Sequence, residues 1–259
     1  MKHQLKVVSS NIRFDNPKDG DHRWGNRKDI LKECIEDFSP DLLSTQEGYR
    51  PQLESLNECL PHLSLISSHR EWIKERMYPS LFYNEKTLEV ESSGDIWLSE
   101  TPNVPGSKSF KSAFPRLCSW ASLKFKSNQK RLFLANCHLD HILRETRTEQ
   151  VRVLAEEIEK IRTKNEALIL TGDFNDDPTS SVRKIIEGLC PVLYDPWCKL
   201  GLAEESSHHS FNGTNPEGSR IDWIMVDERL NAAEIFLDKR EKNGIYPSDH
   251  FPLKAKFLF

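Results

Sequence analysis

Three features of this 259-residue chain predict an α/β fold. Short apolar runs of strand length alternate with segments whose apolar residues recur at helical spacing. The runs end repeatedly in acids, amides or histidines, and α/β sheets build their sites at strand ends. These polar endings extend from Asn11 to His250, so cutting the chain would divide the site. One domain over residues 1–259 is expected, a size that layered α/β folds reach undivided.

Leu5 to Asn11 (LKVVSSN) reads as the first strand and delivers Asn11 at its end. Arg13 to Arg27 is rich in Asp, Asn, Gly and Pro, which predicts a long irregular connection facing substrate, anchored by Trp24 and Arg27. Ile30 to Phe38 carries helical spacing and stops before Pro40. Asp41 to Glu47 is a second strand ending in Glu47, and Pro51 suits the first turn of a helix reaching Leu60. Residues 61 to 130 are less regular. Leu63 to Ile66, Ser80 to Tyr83, Leu88 to Ser92 and Ile96 to Leu98 read as short strands of a second sheet, and Thr101 to Pro115 as a loop. His69 to Arg76 and Lys124 to Arg131 are basic with interleaved aromatics, a pattern that usually marks a solvated face. Arg116 opens the apolar strand RLCSWASL, and its planar fork of donors suits a phosphate.

Arg131 to Asp140 (RLFLANCHLD) places Asn136, His138 and Asp140 on one face of a strand. Thr146 to Arg162 is the clearest helix, with Val151, Leu154, Ile158 and Ile161 as its buried stripe. Ala167 to Asp177 (ALILTGDFNDD) begins as a continuous apolar run, as in a strand covered on both faces, then releases Asp173, Asn175, Asp176 and Asp177 before Pro178. Strand alternation would point Asp173 and Asn175 the same way, although the ending also suits a turn. Ser180 to Leu189 makes a short helix; Leu200 to Gly218 reads as a polar loop with His208 and His209 exposed and not acting as a metal pair. Arg220 to Val226 opens with Asp222, an acid a buried strand would otherwise exclude, and YPSDHF sets Asp249 and His250 before a last strand, PLKAKF.

Composition narrows the function. The net charge of −4 and pI near 6.2 lack the overall basicity usual in duplex-binding proteins. Six scattered cysteines without a CxxC pair fit a reducing compartment. MKHQLKVVSSN has no apolar core of a secretory leader, and no run approaches a membrane span of about 20 apolar residues. A cytoplasmic protein is expected.

QEG with Glu47, NCHLDH with His138, TGDFND with Asp173 and Asn175, RIDWI with Asp222, and SDHFP with Asp249 and His250 occur together in one order. In this the chain resembles the endonuclease/exonuclease/phosphatase superfamily, which includes DNase I-like nucleases, apurinic endonucleases, poly(A) deadenylases, inositol polyphosphate 5-phosphatases and bacterial sphingomyelinases. The loop reading NPKDGDHRWGNRK resembles a bacterial-type subgroup. The resemblance implies a DNase I-like four-layered α/β sandwich: two mixed, mostly antiparallel sheets packed face to face and flanked by helices. The 30–38 and 146–162 helices should then lie on opposite outer layers, with the site at one end where loops from both sheets meet.

Hydrolysis of an anionic phosphate ester needs charge neutralised before water attacks. Mg²⁺, or Mn²⁺, suits this, because it takes one or two carboxylates plus waters and substrate oxygens, and the chain has no Cys/His cluster with zinc spacing. Glu47 is the candidate ligand with Asn11 beside it; Asp249 would bind a second ion or partner a histidine. The resemblance makes Asp173 the group that orients and deprotonates water, Asn175 a donor to phosphate, and His138 and His250 the stabilisers of developing charge. Asp222 would fix the tautomer of His250, and Ser248 would shape the turn. Asp140 and His141 gain no role from the resemblance.

The expected activity is a metal-dependent phosphodiesterase or nuclease that attacks in line without a covalent intermediate. A phosphatase of a small metabolite or lipid head group is the alternative, and a catalytically idle binding protein a second. Two basic-aromatic stretches favour a nuclease; the mild acidity, and the want of an evident stacking platform, favour a small or single-stranded substrate. No protein partner is indicated.

Overall fold

The computed structural model describes residues 4–259. Met1, Lys2 and His3, the start of the MKHQLKVVSSN segment, lie outside the described residues. In chain order, β1 is Gln4–Asn11, α1 Trp24–Phe38, β2 Leu42–Tyr49, α2 Arg50–Cys59, β3 Ser64–Ile66 and β4 Met77–Tyr83. There follow β5 Leu88–Trp97, β6 Leu117–Phe125, β7 Arg131–His138, α3 Arg144–Ile161, β8 Glu166–Asp173 and α4 Ser181–Leu189. The chain ends with β9 Leu193–Tyr194, α5 Pro196–Lys199, β10 Asp222–Asp227, β11 Asn231–Leu237 and β12 Leu253–Leu258.

The strands form two sheets of six, ordered β11-β12-β1-β2-β4-β3 and β5-β6-β7-β8-β10-β9. Each sheet has one parallel pair at its middle, β1 with β2 and β7 with β8, and antiparallel neighbours elsewhere. A parallel pair needs a crossover, and α1 and α3 supply the two. Alternation along β8 shows why its run is continuously apolar. Ala167 and Ile169 enter the core between the sheets with Leu5, Val7, Leu134 and Ile224. Leu168 and Leu170 face outward under Val151, Leu154 and Ile158 of α3 and Val182 and Ile186 of α4. On the other sheet, Val8 and Leu43 pack under Leu31 and Ile35 of α1 and Leu53 and Leu56 of α2. Truncating any of these leucines to alanine would cost about 2–5 kcal/mol. The four layers, and the placement of α1 and α3 on opposite outer faces, agree with expectation.

Several local readings are corrected. The 13–27 connection is not irregular throughout: a 3-10 helix covers Pro17–His22 and α1 begins at Trp24. The segments 63–66 and 80–83 join the first sheet, because β4 hydrogen-bonds to β2; only β5 belongs to the second. The pieces 88–92 and 96–98 are one strand, with a register shift between Val90 and Ser92 masking its alternation. The stripe of α3 ends at Ile158, and Ile161 is exposed where the last turn clears the sheet. Nor is His69 to Arg76 wholly solvated: Arg70 is buried, forked onto Asp95 at 2.7 and 2.8 Å and bonded to Ser80 and Ser119. All six cysteines are free thiols. Among the described residues no helix is long and apolar enough to cross a membrane.

Candidate active site

Register brings the site together. In the second sheet Asp173 of β8 lies between His138 of β7 and Asp222 of β10, as direct partners on either side. In the first sheet β1 ends at Asn11, and β2 shifts register between Thr45 and Gly48. That bulge holds Glu47, which adopts a left-handed φ of 66°. Bulges re-aim side chains, and a non-glycine residue held at positive φ is strained and is found most often where function requires it. Gly48 follows because a Cβ there would lie 2.6 Å from Leu53 of α2.

A cleft of about 550 Å³ opens at this end of the sandwich. Glu47, Arg116, His138, Asp173, Asn175, Asp249 and His250 line it. Asn11 and Asp222 do not; both are buried, at 0% and 1% exposure, and act from below the floor. Asn11 Nδ2 donates to Asp173 Oδ2 at 3.0 Å, and its Oδ1 accepts the Arg13 amide at 2.9 Å. His138 Nε2 and His250 Nε2 lie 3.4 and 3.9 Å from the same Asp173 oxygen. His250 Nδ1 bonds Asp222 Oδ2 at 2.8 Å, and Ser207 Oγ donates to that oxygen at 2.7 Å.

These contacts set opposite charge preferences. Burial, with the Asp222 charge beside it, pushes the Asp173 carboxyl up to about 7. Burial pulls His250 down, yet the charge and hydrogen bond of Asp222, with Asp173 and Asp249, carry it up to about 10. His250 is therefore cationic at neutral pH. His138 is held well below its usual range by burial, with Arg116 and His250 repelling a proton, and is neutral. Burial opposes ionisation of Asp249, but His250, Arg13 and His208 together keep it below the usual carboxylate range.

Other placements differ from the sequence reading. β8 stops at Asp173, so Asn175 does not share a strand face with it. Asn175 instead turns at φ 51°, its backbone N–H donating to Asp173 Oδ1 and one amide N–H to the Leu139 carbonyl. His208 and His209 are not exposed: His209 is buried and stacked on Phe251 at 4.0 Å, and His208 reaches the cleft 4.0 Å from Asp249. Asp140 is a scaffold group, accepting from the backbone of Ala113, Ile142 and Leu143 and from Ser112 Oγ. Arg27 anchors the first loop, donating to the carbonyls of Ile12, Arg13, His22 and Pro247. Ser248 bridges the Asn11 carbonyl and Asp249, shaping its turn.

Arg13, Arg76 and Ser207 were given no site role from the sequence, and His208 was read as exposed, because nothing in a polar loop reveals which residues fold back onto a distant strand. Arg13 adopts φ 51° and lies 3.7 Å from Asp249 while binding Asp19 at 3.0 Å.

Among the described residues two groups of His and acidic side chains are close enough to share one cation: His208 with Asp249 and His250, and Asp173 with Asp222 and His250. The second is largely consumed by its own hydrogen bonds, although among the described residues Asp222 Oδ1 is buried without a partner and His250 Nε2 forms no hydrogen bond. Glu47 fits a hard divalent cation better by chemistry: a cleft-lining carboxylate whose Oε2 takes one long 3.3 Å contact from the Phe14 amide. Asn11 holds its amide by two strong bonds, which suits it to orienting Asp173 more than to ligation.

Known proteins resemble this chain over most of its length. The model of the Endonuclease/Exonuclease/phosphatase family matches residues 8–250. An endonuclease/exonuclease/phosphatase family protein of Bacteroides thetaiotaomicron superposes with a TM-score of 0.91 at 29% identity, over 100% of this chain and 99% of that one. A mannosyl-6-phosphatase of the same organism superposes at 0.89 and 30%, over 98% and 100%. An uncharacterized protein of Acanthamoeba polyphaga mimivirus is 27% identical over 189 residues, 67% of this chain and 68% of its own.

Proposed function

The chain belongs to the endonuclease/exonuclease/phosphatase family, and from that footing we propose that it is a divalent-metal-dependent hydrolase of phosphate esters in which water attacks phosphorus directly. The observation that carries this reading is the convergence of Glu47, Asp173 and His250, from both sheets, on one cleft. The family pattern is complete at Asn11, Glu47, His138, Asp173, Asn175, Asp222, Asp249 and His250, whereas an idle binding protein would be expected to lose ligands.

Glu47 is the anchoring carboxylate for Mg²⁺ or Mn²⁺, with Asp249 the second acidic group on the same cleft. The cation, when bound, neutralises phosphate charge and polarises the ester. Asp173 orients the attacking water and takes its proton; Asn11 and the Asn175 amide fix the carboxylate for that task. The new P–O bond forms as the ester P–O bond breaks opposite, and the departing oxygen takes a proton at the open mouth of the cleft. His250, kept cationic and oriented by Asp222, donates to a phosphoryl oxygen as charge grows there. Neutral His138 supplies a second contact, and Arg116 and Asn175 hold the remaining oxygens.

The substrate is a small phosphate ester. A cleft of about 550 Å³ suits a sugar-sized molecule, and the 30%-identical relative is a mannosyl-6-phosphatase. Phosphodiesterase action uses the same residues and differs in whether a second ester arm is accepted.

Asp173→Asn should lower kcat by at least about 10³-fold with an unchanged circular dichroism spectrum, and EDTA should abolish wild-type turnover until Mg²⁺ or Mn²⁺ is restored. A variant retaining near-normal rates would remove Asp173 from the reaction. Activity indifferent to EDTA would remove the cation.

A further inference from the structure

Buried arginines in this protein are, with few exceptions, neutralised or saturated. Arg70 is paired with Asp95, Arg147 with Asp176, and Arg183 and Arg220 with Asp195. Arg27 spends its guanidinium on backbone carbonyls. Buried Arg116 and half-buried Arg76 depart from this. Arg116 is 8% exposed, and its only side-chain bond among those described is a 3.3 Å contact between Nη2 and His141 Nδ1. Arg76 Nη1 donates to the Pro115 carbonyl, one residue from Arg116, at 3.3 Å. Each has a buried Nε without a partner, and both line the cleft that Asp173 and His250 line. Arg116 lies within the electrostatic reach of Glu47, Asp173 and Arg76, yet among the described residues neither arginine forms an ion pair with a carboxylate.

A buried guanidinium within the field of a second one, meeting carboxylates only at a distance, is costly, and an anion reaching both would relieve it. The anion must be one for which planar, two-pronged donors are suited. A phosphate monoester carries about −1.5 to −2 charges near pH 7 and presents three terminal oxygens. A diester carries one charge, and its second ester arm takes the place of the third oxygen. That arm would leave one guanidinium without its acceptor in a partly desolvated wall built by Phe114 and Pro115.

We propose that Arg76 and Arg116 form a two-guanidinium seat for the terminal oxygens of a phosphate monoester, and that this seat makes the site select monoesters over diesters. The inference rests on the phosphoester-hydrolase reading above and gives it a substrate class. His141, bonded to Arg116 and stacked with Phe114 at 5.9 Å, holds the Arg116 fork in place.

The test compares kcat/KM for p-nitrophenyl phosphate and bis-p-nitrophenyl phosphate, with Mg²⁺ or Mn²⁺, in the wild type and in Arg76→Gln, Arg116→Gln and Arg116→Lys. The wild type should favour the monoester by about 100-fold or more. Each glutamine variant should lose about 100-fold on the monoester and about tenfold or less on the diester, so the preference shrinks. Arg116→Lys, which keeps charge without the fork, should recover only part. Wild-type preference for the diester, or equal losses on both esters, would overturn the seat. If neither ester turns over, the hydrolase reading itself fails, and calorimetric titration of inorganic phosphate into the metal-loaded protein decides the seat alone. Phosphate binding lost in the Arg76→Gln/Arg116→Gln double variant would support it; no wild-type binding, or equal binding by both proteins, would refute it. Circular dichroism confirms that each variant folds.

Discussion

Asp173 answers to three neighbours at one oxygen, the Asn11 amide at 3.0 Å and the rings of His138 and His250 at 3.4 and 3.9 Å. A carboxylate so enclosed, with its other oxygen accepting the Asn175 amide, is held in one orientation. The same reasoning applies to His209, whose signal in the sequence was misleading. It is buried against Phe251, its Nδ1 accepts the Gly213 N–H at 3.1 Å, and burial holds its pKa at about 4. An unfolded histidine titrates near 6.5, so between about 6.5 and 4 the unfolded chain binds the proton that the folded one refuses. Stability from this residue is complete above that window and falls as pH drops through it, by up to about 1.4 kcal/mol per pH unit. Urea unfolding between pH 7 and 4 should show a shallower acid loss in His209→Phe than in the wild type. Identical slopes would mean that His209 is protonated in the folded state.

At the scale of elements, the site depends on a glycine where β8 pairs with β7, one residue before Asp173. Gly172 sits at φ 156°, and a Cβ there would lie 2.3 Å from the Cys137 carbonyl oxygen. Backbone, unlike a side-chain tip, cannot swing aside. Gly172→Ala should therefore cost about 3 kcal/mol or more in thermal or urea unfolding and displace the adjacent Asp173, lowering kcat with it. A stable, fully active alanine variant would show that the two strands tolerate separation. On β2 the requirement is different: the bulge turns Glu47 into the cleft, and Gly48 lets α2 pack directly behind it.

At the scale of the whole molecule, a polar staple joins the middle of the two sheets. Asn136 of β7 is fully buried; its Nδ2 donates to the carbonyls of Thr45 and Ser80, at 2.8 and 3.0 Å, and its Oδ1 accepts from Gln46 at 2.7 Å. Thr171 of β8 adds a bond to Ser44 of β2 at 2.8 Å. Removing the staple leaves buried carbonyls unpaired as well as opening a cavity. Asn136→Ala should lower unfolding free energy by about 2–4 kcal/mol in a urea titration, with a smaller fractional effect on KM than on stability. An unaltered midpoint would mean that apolar packing alone aligns the sheets.

The sequence by itself determined the layers and most of the site's inventory. Apolar runs such as Ala167 to Leu170 and the stripe Val151, Leu154, Ile158 express local periodicities that any neighbour must respect. The polar endings Asn11, Glu47, His138, Asp173, Asp222 and His250 stand out because a strand end excludes such groups unless they are used. Only the tertiary structure decided which residues with ordinary surroundings in sequence take special ones in space. Ser207 beneath Asp222, His209 stacked on Phe251, Arg70 on Asp95, and Arg76 and Arg116 on one cleft wall are all brought together across long stretches of chain. Hydrogen bonds and charges of that range leave no periodic trace, since they depend on how the two sheets meet and not on the residues immediately before and after.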